Sequence, residues 1–403
     1  MTNTEKNVQS AWDYVFNCLF HEKTNLIYDC RSTLEKDGAF SHLPTVKEVA
    51  AQIPSPCSWN AGLENSGING GVMLNTVVNR YKATKDKSLH VYAEKLIKGI
   101  VLMTSVSGVR GFLARSVLPE DGKSYYFESS RDQYTHVIYG ICRYLECELC
   151  TDEERAILSD ILVAFAEYAE KCVTKENDYH LLRTDGGRTM VCKMLYCSPH
   201  EWTRLPMFYI AAWKVSGNEH WYDKYLEIRE LCWTESYKIK KKYWERPFCL
   251  AQMQDSIRIL YDYEKDEEWK KKYLDLMELV ASFMDDTPVQ IEKKARKEGR
   301  KFDSLCPVWR KQPMKFLCNW GAPVSGYGYY MPDRGEAFEN DLWDLHDASN
   351  HVAIKQRCPS LKADPENVKA LEGLFDLVDF ERHGTESPCY MLESYWEVKA
   401  NGK

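Results

Sequence analysis

The chain has 403 residues, 53 of them Lys or Arg and 60 Asp or Glu, for a net charge of −7 with histidine neutral. That balance excludes the basic excess of a nucleic-acid binder, and no apolar run approaches the roughly 18 residues of a membrane-spanning helix. An apolar content of 44% excludes a disordered chain, and 12 Trp, 25 Tyr and 14 Phe make the sequence rich in aromatics.

The first ten residues are polar and lack the apolar core of a secretory signal, which predicts a cytoplasmic protein. A first helix is expected over 5–19. Residues 67–78 are apolar on more than one face and carry small residues, the mark of a helix buried on all sides. A polar turn at Lys85-Asp86 follows, and then Leu89, Ala93, Leu96, Ile97, Ile100 and Val101 recur at the 3.6-residue period of an amphipathic helix. The same pair returns three times. Residues 134–145 precede Thr151-Asp152 and the stripe Ile157, Leu158, Ile161, Leu162, Phe165, Ala166, Ala169. Residues 205–215 precede Gly217-Asn218 and a helix carrying Trp221. Residues 247–260 precede Lys265-Asp266 and the stripe Trp269, Tyr273, Leu276, Met277, Val280, Met284. Helices over about 345–356 and 365–380 complete eleven or twelve. The expected class is all-α, a single domain over 1–403 in which six helical hairpins close into an (α/α)6 toroid. The alternative is an open solenoid of helical pairs. Closure is favoured because helices apolar all round must be covered on every side.

Fifteen cysteines are scattered singly, and in a cytoplasmic setting reduced thiols are expected. Cys147 and Cys150 have CxxC spacing, but residues 134–149 read as continuous helix rather than the strand–loop–helix of a redox motif, and no second ligand pair for zinc is visible. His346 and His351 are five apart, a poor spacing for a shared metal face. No metal and no cofactor is predicted.

The turns from buried to amphipathic helices are short, whereas the returns, 104–130, 172–200 and 285–341, are long. In a hairpin array all returns lie on one face, where sites are usually built. The buried helices also begin on that face, and their openings are unusually polar: Trp59 to Asn65, Ser129 to Gln133 with His136 one turn on, His200 to Arg204, Trp244-Glu245-Arg246, and His346 to His351. Capping accounts for Asp, Ser and Asn at such places but not for recurring Trp, Arg and His. Such a mouth suits a hydroxyl-rich ligand, with aromatic faces such as Trp59, Trp202, Trp320, Tyr327, Tyr329 and Tyr330 available to sugar rings, although most Trp and Tyr in any protein are packing residues.

Sugar hydrolysis needs a proton donor and usually a second carboxylate. Asp132, in the first turn of a buried helix beside Arg131 and one turn from His136, is the first candidate; its structural alternative is a cap or an Arg salt bridge. Glu64, beside Asn65, is second, with a buried hydrogen-bonding role as its alternative. Asp347, beside His346, is third.

The segment Ser-Ser-Arg-Asp-Gln-Tyr-Thr-His-Val-Ile-Tyr-Gly (129–140), residues 59–71 and the hairpin spacing resemble the six-hairpin glycosidases, in particular unsaturated glucuronyl and rhamnogalacturonyl hydrolases and related bacterial uronic-acid glycosidases. The resemblance implies an (α/α)6 toroid with its active site at the N-terminal ends of the inner helices. It implies that an aspartate on an inner helix, matched here by Asp132, acts as general acid and base on the C4=C5 vinyl ether of an unsaturated uronyl sugar. Glu64 and Asn65 fall where the family carries a second acidic residue, and Arg131, His136 and Arg204 are placed to hold a uronate carboxylate. The Trp-rich, Arg-Gly motif that many of these hydrolases carry on a later inner helix is not found. The expected activity is therefore glycoside hydrolysis of an oligosaccharide containing uronic acid, with Trp59, Trp202, His346, Asp347 and Tyr327 as further substrate contacts. No nucleic-acid or membrane partner is expected, and the oligomeric state is left open. Two alternatives stand: a sugar epimerase or isomerase working through His136 or His351, and a non-enzymatic helical-repeat scaffold.

Overall fold

The computed structural model describes residues 2–35, 38–241, 246–320 and 326–402. Its helices are α1 (Asn3–Tyr14), the short α2 (Val46–Ala50), α3 (Ser66–Thr84), α4 (His90–Ser105), α5 (Arg131–Leu145), α6 (Asp152–Cys172), α7 (Arg204–Ser216), α8 (Glu219–Ser236), α9 (Pro247–Tyr263), α10 (Glu267–Ala281), α11 (Thr287–Glu298), α12 (Glu336–Arg357), α13 (Pro365–Phe375) and α14 (Ser387–Asn401). Their ends follow local chemistry. Thr2, Thr45 and Thr151 each accept the N–H of a Glu three residues on, and that Glu reaches back to the threonine N–H. Asn218, Asp266 and Asp364 cap α8, α10 and α13. Gly217 ends α7 at φ +66°, a left-handed conformation that glycine adopts without penalty.

Among the described residues six helices form an inner ring. α3 packs on α5, α5 on α7 and α9, α7 on α9, α9 on α12, α12 on α14, and α14 back on α3. The closing α14–α3 contact overturns the open-solenoid alternative. The outer helices α1, α4, α6, α8, α10 and α13 alternate with the inner ones along the chain, so the architecture is the (α/α)6 toroid. The stripes face inward as their period requires: Leu158, Ile161, Leu162, Phe165, Ala166 and Ala169 of α6 are buried, although Ile157, counted in that stripe, is exposed. α3 and α5 meet backbone to backbone. A Cβ on Gly71 would lie 2.2 Å from the His136 carbonyl oxygen, and one on Gly140 would lie 2.5 Å from that of Gly71.

Three two-stranded antiparallel hairpins decorate the helical frame: β1 (Phe20–His21) with β2 (Leu26–Ile27), β3 (His180–Leu182) with β4 (Arg188–Lys193), and β5 (Met314–Trp320) with β6 (Tyr327–Pro332). The last two lie in the long returns and are pinned together, since Trp320 Nε1 donates to the Arg188 carbonyl at 3.1 Å.

Three expectations need correction. The helix expected over 345–356 begins at Glu336, so His346 sits three turns inside α12 rather than at its opening. The helix expected to reach residue 380 ends at Phe375, and a separate inner helix, α14, follows it. α5 ends at Leu145, which leaves Cys147 and Cys150 in the turn before α6 rather than in helix. Both thiols are free.

Candidate active site

Where the inner helices begin, the ring holds a cavity of about 250 Å³. Its wall comes from Trp59, Glu64, Asn65 and Ile68 at the entry to α3, and Ser130, Asp132 and His136 on α5. Phe248, Ala251 and Gln252 come from α9, Leu342, Trp343, His346 and Asn350 from α12, and Glu386 and Tyr390 from α14. Arg115, Val191 and Arg334 reach in from the long returns.

Asp132 lies in the first turn of α5, and both of its structural alternatives are taken by other residues. Ser130 caps the helix by accepting the Gln133 N–H. Arg131 pairs with Glu201 and donates to the Lys193 carbonyl at 2.8 Å, while Arg204 donates to Thr135 Oγ1 at 2.8 Å and to Gln252 Oε1 at 3.3 Å. Among the described residues the Asp132 carboxylate has no hydrogen-bond or ion-pair partner, and it faces the cavity.

Glu64 also lines the cavity, but it precedes α3 instead of lying on it. Its Oε1 is 3.3 Å from Arg115 Nη2, and its Oε2 accepts the Asn60 N–H at 3.1 Å. Beneath it, Asp29 accepts the backbone N–H groups of Glu64 and Asn65, both at 2.7 Å. Asn65 Nδ2 donates to Glu386 Oε1 at 3.3 Å. Burial pushes the Asp29 and Glu386 carboxyls up together; Glu64 adds to the shift of Asp29, and Asp29 to that of Glu386. The two N–H bonds that Asp29 accepts oppose its shift.

Two histidines reach the cavity. His136 Nδ1 lies 3.3 Å from Asp255 Oδ2. His346 packs edge-on against Tyr390, ring centroids 3.7 Å apart. Burial first, and His136 second, lower its pKa to about 3, so it is neutral.

Buried polar atoms in native proteins nearly always have partners. Here Arg115 Nη1, both ring nitrogens of His346, Asn350 Nδ2 and Glu386 Oε2 are buried without one among the described residues, and all line this one cavity. Arg334 adds a guanidinium whose Nε is engaged by Glu339 at 2.8 Å.

The structure therefore brings together Asp132, Glu64, Trp59, Asn65, His136 and His346. It does not bring in six others. Arg131 and Arg204 are spent on the partners given above. Trp202 is buried with Nε1 donating to the Cys197 carbonyl at 3.0 Å. Asp347 turns toward Arg246, 3.6 Å away. Tyr327 lines a separate hollow with Met314 and Tyr330, and the Arg183 guanidinium lies over its ring. His351 is likewise turned away, with Nδ1 on the Asp347 carbonyl and Nε2 3.3 Å from Asp285. Trp244, Glu245 and residues 321–325 lie outside the described residues. Sequence reasoning missed Glu386, Tyr390, Arg334, Arg115 and Trp343. The one available signal was Glu386-Ser387-Pro388, an acid and a proline at a helix start.

No protein-family model and no curated protein matches the chain. Solved structures do. A family 76 glycoside hydrolase (mannosidase) from Bacteroides thetaiotaomicron VPI-5482 is similar over 99% of this chain and 98% of its own, with TM-score 0.51 and 11% identity. A sugar epimerase from a ruminal bacterium is similar over 100% of both chains, with TM-score 0.50 and 11% identity. A family 76 glycoside hydrolase from a bovine Bacteroides thetaiotaomicron strain is similar over 99% of this chain and 78% of its own, with TM-score 0.50 and 10% identity. At such identity the likeness is one of fold alone, the (α/α)6 toroid. Among the described residues no helix is long and apolar enough to cross a membrane.

Proposed function

We propose that the chain is a glycoside hydrolase that binds one terminal sugar of an oligosaccharide containing uronic acid, with Asp132 and Glu386 as its working carboxyls. The observation that carries this reading is the unpartnered Asp132 carboxylate on the cavity wall, with capping and ion pairing both done by its neighbours. The arrangement supports a division of labour between an acid and a base. Glu386 gives its proton to the leaving oxygen as the glycosidic bond breaks. Asp132 takes a proton from the water that attacks the sugar. In the unsaturated case Glu386 gives its proton to C4 of the C4=C5 bond and Asp132 takes a proton from the water that adds at C5, after which the hemiketal opens and releases the aglycone.

The cavity volume, about 250 Å³, lies below the roughly 300–1,000 Å³ of drug-sized sites, which favours one ring over several. Arg334 and Arg115 replace Arg131 and Arg204 as the groups suited to a uronate carboxylate. The test is hydrolysis of saturated and unsaturated uronyl disaccharides, with the ultraviolet absorbance of the C4=C5 bond reporting hydration. Asp132→Asn should lower turnover by about 10²- to 10⁴-fold; full activity in that variant overturns the assignment.

A second reading, a sugar epimerase or isomerase, is favoured by one observation: His136 and His346 both line the cavity, and paired histidines suit proton transfer at carbon. It replaces the first if His346→Gln abolishes sugar conversion while Asp132→Asn leaves it intact.

A further inference from the structure

Beneath the cavity lies a buried charge cluster that the two proposed carboxyls do not touch. Arg357 of α12, 1% exposed, has Nη1 2.6 Å from Asp255 Oδ1 on α9 and Nη2 2.6 Å from Glu393 Oε2 on α14. Its Nε donates to Glu397 Oε2 at 3.1 Å. Asn75 of α3 donates to Glu393 Oε1 at 2.9 Å. The remaining oxygen of Asp255, Oδ2, lies 3.3 Å from Nδ1 of His136 on α5. Five inner helices thus send polar groups to one point, and a single guanidinium there faces three carboxyl groups.

We propose that Asp255, itself oriented by Arg357, is a positioning residue that fixes His136 as the Nδ1–H tautomer, so that the ring offers the lone pair of Nε2 to the cavity. The Asp255 oxygens lie at ion-pair distance but outside hydrogen-bond alignment, so the bias is electrostatic. A carboxylate oxygen beside Nδ1 attracts an N–H and repels a lone pair, and with Asp255 fully buried little solvent screens either effect. In the neutral imidazole the single proton therefore belongs on Nδ1. Besides Asp255, the groups near His136 among the described residues include His346, which is neutral, the Tyr390 ring at 6.5 Å and, one turn earlier on its own helix, Asp132. Arg357 fixes which oxygen of Asp255 faces which neighbour. In Asp255→Asn the amide oxygen must stay with the guanidinium and the amide NH₂ must turn to His136. The ring then accepts at Nδ1, carries its proton on Nε2, and changes from acceptor to donor toward any ligand.

The catalytic meaning rests on the sugar-processing reading above: a lone pair at Nε2 can accept a sugar hydroxyl or the attacking water. The tautomer does not rest on it. The test is nitrogen NMR of the full chain labelled with ¹⁵N-histidine, at a pH where imidazole is neutral, with His136→Gln identifying the signals. Wild type should show a protonated Nδ1 and a bare Nε2 for His136, and Asp255→Asn should exchange the two. A protonated Nε2 in wild type overturns the proposal whether or not the variant folds, and so does an unchanged Nδ1–H in a folded Asp255→Asn. On a substrate that wild type turns over, Asp255→Asn should also lose about 10- to 100-fold in kcat, as loss of a histidine's orienting partner typically does. If wild type shows the Nδ1–H form yet turns over no sugar, the proposed function fails and the tautomer assignment stands.

Discussion

The raised carboxyl of Glu386 makes the proposed chemistry testable by pH. Glu386 is pushed up by burial and by Asp29, so the protonated form needed of an acid persists to higher pH than for an exposed glutamate. Activity should fall as pH rises through that elevated value, and Glu386→Gln should remove about 10²- to 10⁴-fold of the rate, as read from kcat/KM against pH. Asp347, outside the cavity, gives a stability prediction instead. Burial raises its carboxyl to about 7, with Arg246 opposing. A folded pKa above the unfolded value of about 3.9 means that the protonated form is favoured in the fold. Its contribution is complete below that lower value and is lost as pH climbs to about 7. Asp347→Asn, which does not titrate, should gain stability relative to wild type across that window, as read from urea midpoints; a constant difference counts against the shift. At this scale the sequence was partly legible. Asp132 stood out because it lies in the first turn of a largely apolar helix, beside Arg131 and one turn from His136. Arg131 and Arg204 misled because their directions are set by Glu201 and Gln252, distant in sequence and unknowable from spacing. Arg334 escaped because it precedes a helix whose start the pattern misplaced, and Glu386 because the pattern missed the helix it precedes.

Elements carry these side chains, and their spacing is set most tightly where α3 meets α5. Gly71 and Gly140 leave no room for a Cβ against the facing backbone, and backbone gives way less readily than the end of a side chain. Gly71→Ala should cost at least the ~1–3 kcal/mol typical of overpacking, measured by chemical denaturation. Because the contact is at His136 itself, the variant should also lose activity beyond its loss of stability. A variant as stable and active as wild type would show that the helices can slide apart at no cost. The inner helices were legible wherever small residues and all-round apolarity mark them, as in α3, α5, α7 and α9. α12 was less so: Glu336 to Asp344 supply its polar first turns, and the apolar pattern is strong only from Leu345 onward. The hairpins β3–β4 and β5–β6 were read as loops because their strands are short and none keeps a regular alternation of buried and open residues, β5 being largely uncovered on both faces.

Closure of the ring sets the requirement on the whole molecule. The first inner helix, α3, is covered on one side by α5 and on the other by α14, the last helix of the chain. Asn75–Glu393 and Asn65–Glu386 are hydrogen bonds across that seam. A chain ending at Gly384 would leave the apolar flanks of α3 and α12 in water, remove Glu386 from the cavity, and strip Arg357 of Glu393 and Glu397, leaving it only Asp255 among its three carboxyl partners. The buried apolar residues of α14, among them Cys389, Met391 and Leu392, would each forfeit roughly 1.5–3 kcal/mol of burial. Against a typical net stability of about 5–15 kcal/mol, that loss is enough to open the ring. The truncated chain should therefore show a larger radius of gyration by small-angle scattering and no sharp thermal transition. A truncated chain as compact and cooperative as the full one would mean that five hairpins suffice, and that α14 serves the cavity rather than the fold.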